Sequence, residues 1–336
     1  MTIGHGDDTY KYPNIRLNFS SNVYTHFDHK GLFCYLAERL NKVVSYPEPV
    51  PESLEKDLAT TMGIKAENVC VTNGATEAIY LTAQTFRRNK TAILMPTFSE
   101  YQDACRLHEH TVSSIYSLSQ IPRHTQMVWI CNPNNPTGTT IPKDDLIQTF
   151  ADFPDTLFVV DASYAPFTET AVITAKEAIE IPNVLMLHSL TKKFSIPGLR
   201  LGYITGQESL LHQIRLQRMP WSVNQVAIDA GHYVLCHPEE FQFDLHALMQ
   251  ERQRVTQLLT RLGCIEVWPS DTHILLCKLR TGRSVALKDF LSFEKGILIR
   301  DASNFDALGP EFFRIAVQTA EENNELIKAI EEWICM

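Results

Sequence analysis

The residue types best suited to chemistry sit where short apolar runs end. Leu157-Phe158-Val159-Val160 leads into Asp161, with Tyr164 close behind. Val184–His188 leads into Ser189-Leu190-Thr191-Lys192-Lys193-Phe194 and then Pro197-Gly198-Leu199-Arg200. Met127–Cys131 leads into Asn132-Pro133-Asn134-Asn135-Pro136-Thr137-Gly138, and Asn68–Thr72 into Asn73-Gly74-Ala75-Thr76-Glu77. A carboxylate at the end of a buried strand is costly unless it is paired. A lysine in partly apolar surroundings loses basicity and can attack a carbonyl carbon. A loop stiffened by two prolines can hold an asparagine amide at a ligand. Small residues opening a helix let backbone N–H groups approach an anion, which the helix dipole favours. Each signal also has a bland reading: a helix cap, a solvated lysine pair, a plain turn, an ordinary glycine turn.

Taken together the four strand ends are harder to dismiss. An anion cradle, an amide, a carboxylate with a tyrosine, and a lysine with hydroxyls and an arginine make up a site for pyridoxal 5′-phosphate. The aldehyde needs the lysine, and the ring nitrogen needs the carboxylate to stay protonated. The phenolic oxygen needs donors, and the phosphate needs N–H groups, hydroxyls and arginine.

Helices and strands must place these groups. Helical patterns span Pro51–Met62, Ala75–Phe86, Phe98–Leu107 and Pro142–Asp152; strand patterns span Asn68–Thr72, Thr91–Met95, Met127–Cys131, Leu157–Asp161, Val184–His188 and Leu201–Thr205. That alternation predicts a mostly parallel sheet covered by helices on both faces, which binds ligands where its strands end. Beyond Glu208 the texture changes. A helical region broken at Pro220 and Pro238 runs to Leu262, followed by strand patterns around Cys264–Trp268, Ile274–Leu279, Gly296–Arg300 and Phe312–Val317 and a closing helix, Ala320–Ile334. The expected division is a large α/β domain over 46–225 and a small α+β domain built from 1–45 and 226–336.

Composition narrows the function classes. The chain has 336 residues, 44% hydrophobic and 21% charged, with net charge −9. This excludes a disordered tail or rod and argues against general binding of nucleic acid or a polybasic hold on membranes. No apolar run approaches membrane-span length, and Met1–Asp8 has neither a basic start nor an apolar stretch, so a cytoplasmic protein is expected. The eight cysteines form no C-x-x-C pair, and no metal site is expected. Gly4-His5-Gly6 lacks a third glycine, and His108-Glu109-His110 reads as surface.

The same motifs resemble the fold type I pyridoxal-phosphate enzymes, in the branch that holds histidinol-phosphate aminotransferase and L-threonine-O-3-phosphate decarboxylase. The resemblance covers nearly the whole chain. It implies that Lys192 bonds the cofactor aldehyde, that Asp161 meets the ring nitrogen, and that Asn135 and Tyr164 donate to the phenolic oxygen. Tyr101 matches the aromatic stacked on the ring; Gly74, Ala75, Thr76, Ser189, Thr191 and Arg200 match the phosphate cup. Tyr46 matches the tyrosine that reaches the neighbouring subunit's cofactor, which implies a homodimer with shared sites. Arg314, in Phe313-Arg314-Ile315-Ala316-Val317, matches the clamp on the substrate carboxylate.

Within the branch, several segments are similar to the decarboxylase: His5-Gly6-Asp7-Asp8, Asn18-Phe19-Ser20-Ser21-Asn22, Met219-Pro220-Trp221-Ser222-Val223-Asn224 and Ile297–Phe305. They imply a small phosphorylated amino-acid or amino-alcohol substrate. His5, Asn22 and Arg300 are its further candidate contacts, Arg300 for the phosphate unless it pairs with Asp301 or Asp306. The expected reaction is decarboxylation of L-threonine O-3-phosphate to (R)-1-amino-2-propanol O-2-phosphate, a cobalamin side-chain precursor. The alternative is a histidinol-phosphate-type aminotransferase using 2-oxoglutarate. A non-catalytic protein on the same fold is disfavoured by intact Lys192, Asp161, Asn135 and Arg200. Asp7 and Asp8 depart from the pattern, which has a glycine and a neutral amide there; two acids near a substrate phosphate would repel it.

Overall fold

The structure, a computed structural model, describes residues 6–336. Its larger sheet has seven strands in the order Val69–Thr72, Gly202–Gly206, Val184–Ser189, Leu157–Asp161, Met127–Cys131, Lys90–Leu94 and Thr111–Ile115. Neighbours are parallel except around Gly202–Gly206, which runs antiparallel to both of its partners. Met127–Cys131 and Leu157–Asp161 are buried along their whole length, as strands covered on both faces must be. Side chains alternate between two cores. Met127, Trp129 and Cys131 pack on one face with Ile79 and Leu187; Val128 and Ile130 pack on the other with Leu146 and Phe150.

A second, antiparallel sheet orders Arg300–Asp301, Phe312–Ala316, Ile274–Leu279 and Ile265–Val267. Helices Leu245–Arg261, Ser284–Glu294 and Ala320–Ile334 bury Leu259, Leu291 and Ile330 against it. The start of the chain joins this part: Leu17–Asn18 pairs in parallel with Ile297–Leu298, and Ala316 N–H donates to the Phe19 carbonyl. Helices Lys30–Ala37 and Gln225–Cys236 pack instead beside the larger sheet, where Leu32, Ala227 and Val234 meet Leu54, Val69 and Leu201.

Three features differ from the sequence reading. Thr111–Ile115 is an additional edge strand whose Thr-Val-Ser-Ser-Ile run is largely exposed, so it lacks the apolar signal of an inner strand. Helices Lys30–Ala37 and Ser284–Glu294 were not anticipated. His110 is not at the surface: its ring is buried, bonded to Thr91 Oγ1 at 2.7 Å and to the Ala83 carbonyl at 2.9 Å. Among the described residues, no helix is long and apolar enough to cross a membrane.

Candidate active site

The carboxyl ends of the inner strands open on a cavity of about 440 Å³. Lys192, Asp161, Tyr164, Tyr101, Asn135, Ala75, Thr76, Ser189, Thr191, Arg200, Asn22 and Arg314 all line it. Arg300 lies in a small side pocket that shares Asn135 and Arg314 with the cavity. Gly74 abuts it through Arg200. Two expected contacts remain. Tyr46 is exposed, its ring 5.3 Å from that of Trp221, and His5 lies outside the described residues.

Lys192 sits in the one-turn helix Leu190–Lys193 that follows Val184–Ser189. Leu190 and Phe194 share a helical face and are buried with Leu54 and Leu201. Anchored there, the turn directs Lys192 into the cavity and leaves Lys193 exposed, 5.0 Å from the Phe194 ring. Lys192 Nζ donates to the Ser21 carbonyl at 2.7 Å. Burial, with Arg314 and Arg200 nearby, lowers its pKa to about 8, against the pull of Asp7 and Asp161.

Asp161 ends a fully buried strand. Its Oδ1 accepts from Ser163 N–H at 2.9 Å and from Ser163 Oγ at 2.6 Å, and its Oδ2 from the Tyr101 hydroxyl at 2.7 Å. Burial still leaves its pKa raised, because these donors and Lys192 only partly offset the desolvation. Lys192 is the cation whose field reaches it. Tyr101 lines the cavity, its ring stacked on Trp129 with centroids 5.2 Å apart and its hydroxyl on Asp161. Ser163 escaped the sequence reading, although a serine two positions beyond an aspartate is a turn pattern that could have marked it.

The Asn132–Gly138 loop divides its amides. Asn132 staples the loop through Ile141, and Asn134 through Thr97, Pro96 and Thr137. That leaves Asn135 to accept from Arg314 Nη1 in the cavity. Gly138, at φ 71°, seats the loop on the smaller sheet: a Cβ there would lie 2.6 Å from the Ile274 carbonyl.

Helix Gly74–Thr85 begins at the cavity. Gly74 has φ 81°, and a Cβ on it would stand 2.7 Å from Arg200 Nη2. Only glycine lets the guanidinium lie against the helix start. The hydroxyls of Ser189 and Thr191, 2.6 Å apart, also line the cavity. Helix N–H groups, two hydroxyls and a guanidinium form an anion cradle.

On the smaller sheet Arg314 and Arg300 are register partners on adjacent strands, both buried. Arg314 Nη2 donates to the Ser20 carbonyl at 2.5 Å, and its Nε is buried with no partner among the described residues. Burial lowers the Arg314 pKa to about 9, with Arg300 adding to the drop and Tyr164 opposing it. Arg300 Nη2 donates to Asn304 at 2.7 Å, and its guanidinium lies 5.5 Å from the Phe305 ring. Asn22 Nδ2 donates to the Tyr164 hydroxyl at 3.0 Å, while Asn22 Oδ1 is buried without a partner among the described residues. Burial pushes the Tyr164 phenol up to about 12.

The two acids of the arm part ways. Asp7 lines the cavity. Asp8 turns away to Lys288, whose Nζ is 2.8 Å from both of its oxygens in a buried pair. Burial pushes the Asp8 carboxyl up, but Lys288 more than offsets it, so its pKa is lowered. Replacing Asp8 by Ala is expected to release the arm, since stranding one buried charge costs about 3 kcal/mol. Amide exchange of residues 7–16 should then quicken by roughly a hundredfold, and an unchanged rate would show that the pair does not hold the arm.

Over residues 14–330 the chain matches the aminotransferase class I and II family, and it belongs to that family. Members of this family are pyridoxal-phosphate-dependent enzymes, and the expected fold class, a mostly parallel sheet covered by helices with a smaller α+β part, is borne out. The chain superposes on L-threonine-O-3-phosphate decarboxylase from Porphyromonas gingivalis with TM-score 0.93 at 35% identity, covering 95% of this chain and 100% of that one. It is 29% identical to threonine-phosphate decarboxylase of Salmonella typhimurium, over 95% of this chain and 91% of the relative. It is 28% identical to histidinol-phosphate aminotransferase of Ruminiclostridium cellulolyticum, over 84% of this chain and 82% of the relative.

Proposed function

We propose that this protein decarboxylates L-threonine O-3-phosphate with pyridoxal 5′-phosphate as cofactor. The observation that carries this reading is the facing pair of buried guanidiniums, Arg314 and Arg300. Both line one small pocket beside the cavity, which suits a ligand carrying two anionic groups. A substrate with both a carboxylate and a phosphate supplies two anions; histidinol phosphate supplies one, and an aminotransferase would meet the pair with two anions only in its 2-oxoglutarate half-reaction. Likeness to the decarboxylase of Porphyromonas gingivalis points the same way.

The residues present fit the cofactor. Asp161 is a buried carboxylate in need of a cation, Lys192 is an amine of lowered basicity, and the Gly74–Thr76 helix start with Ser189, Thr191 and Arg200 is an anion cradle. When bound, pyridoxal 5′-phosphate supplies an aldehyde that bonds the substrate nitrogen and a ring that accepts the electron pair of the broken Cα bond. Asp161 keeps a proton on the ring nitrogen, Asn135 and Tyr164 hold the phenolic oxygen, and Tyr101 flanks the ring. Arg314 clamps the substrate carboxylate through Nε and a terminal nitrogen, and Arg300 takes the substrate phosphate. Together they set which Cα bond is broken. Lys192 then holds the proton delivered to Cα.

The partner arrangement belongs to the same proposal. Tyr46, Val44 and Met219 are exposed apolar side chains, as a homodimer face requires, and Tyr46 would reach the second subunit's cofactor phosphate. A larger unit and a smaller one built from both chain ends are likewise proposed, with helices Lys30–Ala37 and Gln225–Cys236, which pack beside the larger sheet, going to the larger unit rather than to 1–45 and 226–336.

Incubated with O-phospho-L-threonine and no keto acid, the holoenzyme is expected to release carbon dioxide. Silence there, with brisk turnover of histidinol phosphate and 2-oxoglutarate, would establish the aminotransferase instead, a reading favoured by relatives of that name at similar identity. Gly74→Ala is expected to weaken cofactor binding by roughly tenfold, because strain of about 1–3 kcal/mol falls on the helix start. An absorbance titration with the cofactor checks this, and an unchanged affinity would remove Arg200 from the cradle.

A further inference from the structure

We propose that Asp7 docks the substrate's ammonium group, holding it where Lys192 Nζ stands, beside Arg314. The proposal needs the site reading above only in taking the substrate to be a primary amine, which O-phospho-L-threonine and histidinol phosphate both are.

The geometry begins with the arm. Asp7 lines the same cavity as Lys192 and Arg314. Its φ is 61°, a left-handed conformation unusual for a residue with a side chain, although aspartate tolerates it better than most. Asn18 Nδ2 donates to its Oδ1 at 2.5 Å, and its own N–H donates to Ser20 Oγ at 3.2 Å. The buried Asp8–Lys288 pair pins the next residue. Gly6, just before it, packs on Arg314: a Cβ there would lie 3.4 Å from Nη2. The same short segment that holds Asp7 also receives Arg314 on the Ser20 carbonyl and Lys192 on the Ser21 carbonyl. Asp7, Arg314 and Lys192 are thus tied to one piece of backbone.

The electrostatics say what such a carboxylate does. Lys192 feels Arg314 and Arg200, which oppose its charge, and Asp7 and Asp161, which favour it. Asp161 is committed to Tyr101 and Ser163 at the far end of its strand, and Glu100, also on the cavity wall, accepts from the Tyr80 hydroxyl. A substrate amine arrives as an ammonium in a pocket built around guanidiniums, which attract its carboxylate and repel its nitrogen. It must reach the position of the amine it displaces. The carboxylate whose field favours a cation at Lys192 Nζ favours a cation from the substrate at the same place. An acid at this position therefore orients the substrate, nitrogen toward Lys192 and carboxylate toward Arg314.

Asp7→Asn keeps the shape and the Asn18 bond and removes the charge. In cofactor-free protein, pH-dependent chemical labelling of Lys192, read by mass spectrometry, should have its midpoint near 8 in the wild type. The variant's midpoint should fall, with labelling at neutral pH roughly threefold faster; an unmoved midpoint overturns the proposal. In the holoenzyme, the variant should bind O-phospho-L-threonine and histidinol phosphate roughly fivefold more weakly, the factor expected of opposite charges about 4 Å apart in solvent-like surroundings. Inhibition by the des-amino analogue of O-phospho-L-threonine should stay within about twofold. Equal weakening of amine and des-amino ligands would mean a structural role and overturns the proposal. A wild type that turns over histidinol phosphate alone would overturn the decarboxylase reading and leave the Asp7 comparison intact.

Discussion

Lys192→Ala is expected to lower turnover by roughly 10³-fold or more, the loss that follows when a positioned proton-transfer group is deleted. Lys193→Ala should stay within about twofold, since exposed substitutions away from a site change little. The contrast rests on one helical turn. Leu190 and Phe194 fix it in the core, Lys192 enters the cavity with its amine on the Ser21 carbonyl, and Lys193 is left in solvent. The lowered basicity of Lys192 is part of the expectation. An amine whose pKa is about 8 is partly neutral near pH 7, whereas an ordinary lysine is almost wholly protonated. The near-visible absorbance of bound cofactor should vanish in the Lys192 variant and persist in the Lys193 variant. The reverse pattern would mean that the neighbouring lysine is the reactive one.

Asp161→Asn is expected to lower kcat by roughly 30-fold to a few thousandfold, from the about 2–5 kcal/mol lost when one member of a buried charge pair is neutralised. The amide keeps the volume and can still accept from Tyr101 and Ser163, so the fold should hold. What it loses is the negative charge. In the protein alone burial raises the Asp161 pKa, and an opposing cation would bring it back down. Asparagine cannot hold a proton on a facing nitrogen by charge. The variant should therefore bind cofactor with an altered absorption maximum and shifted pH dependence. A variant with near-wild-type kcat would remove Asp161 from the chemistry and leave it a structural acid.

How much of this could be read beforehand depends on the kind of signal. Met127–Cys131 and Leu157–Asp161 have the bounds expected from their apolar runs, because an inner strand covered on both faces must be apolar nearly throughout. Thr111–Ile115 was missed because an edge strand needs no such run. His108-Glu109-His110 was misjudged because polarity alone does not say which of three polar neighbours turns inward; His110 does, since Thr91 and Ala83 offer it partners. In the site, Lys192, Asp161, Asn135 and Arg314 stand out as candidates in the sequence, and all four line one cavity. Ser20 and Ser21 were not, because they act through backbone carbonyls that every residue has.

The sequence by itself determined the strand-end chemistry: an amine, a carboxylate, an amide and a glycine-led helix start, each following an apolar run that could only be a buried strand. Those are properties of residue type and order. Tertiary structure alone decided that Tyr101 bonds Asp161 while stacking on Trp129. It also decided the fate of the two neighbouring acids. Asp8 is drawn to a buried ammonium on Ser284–Glu294, far along the chain, while Asp7 is left facing Lys192 and Arg314. Adjacent in sequence, they differ in surroundings because burial and the nearest opposite charge act through space.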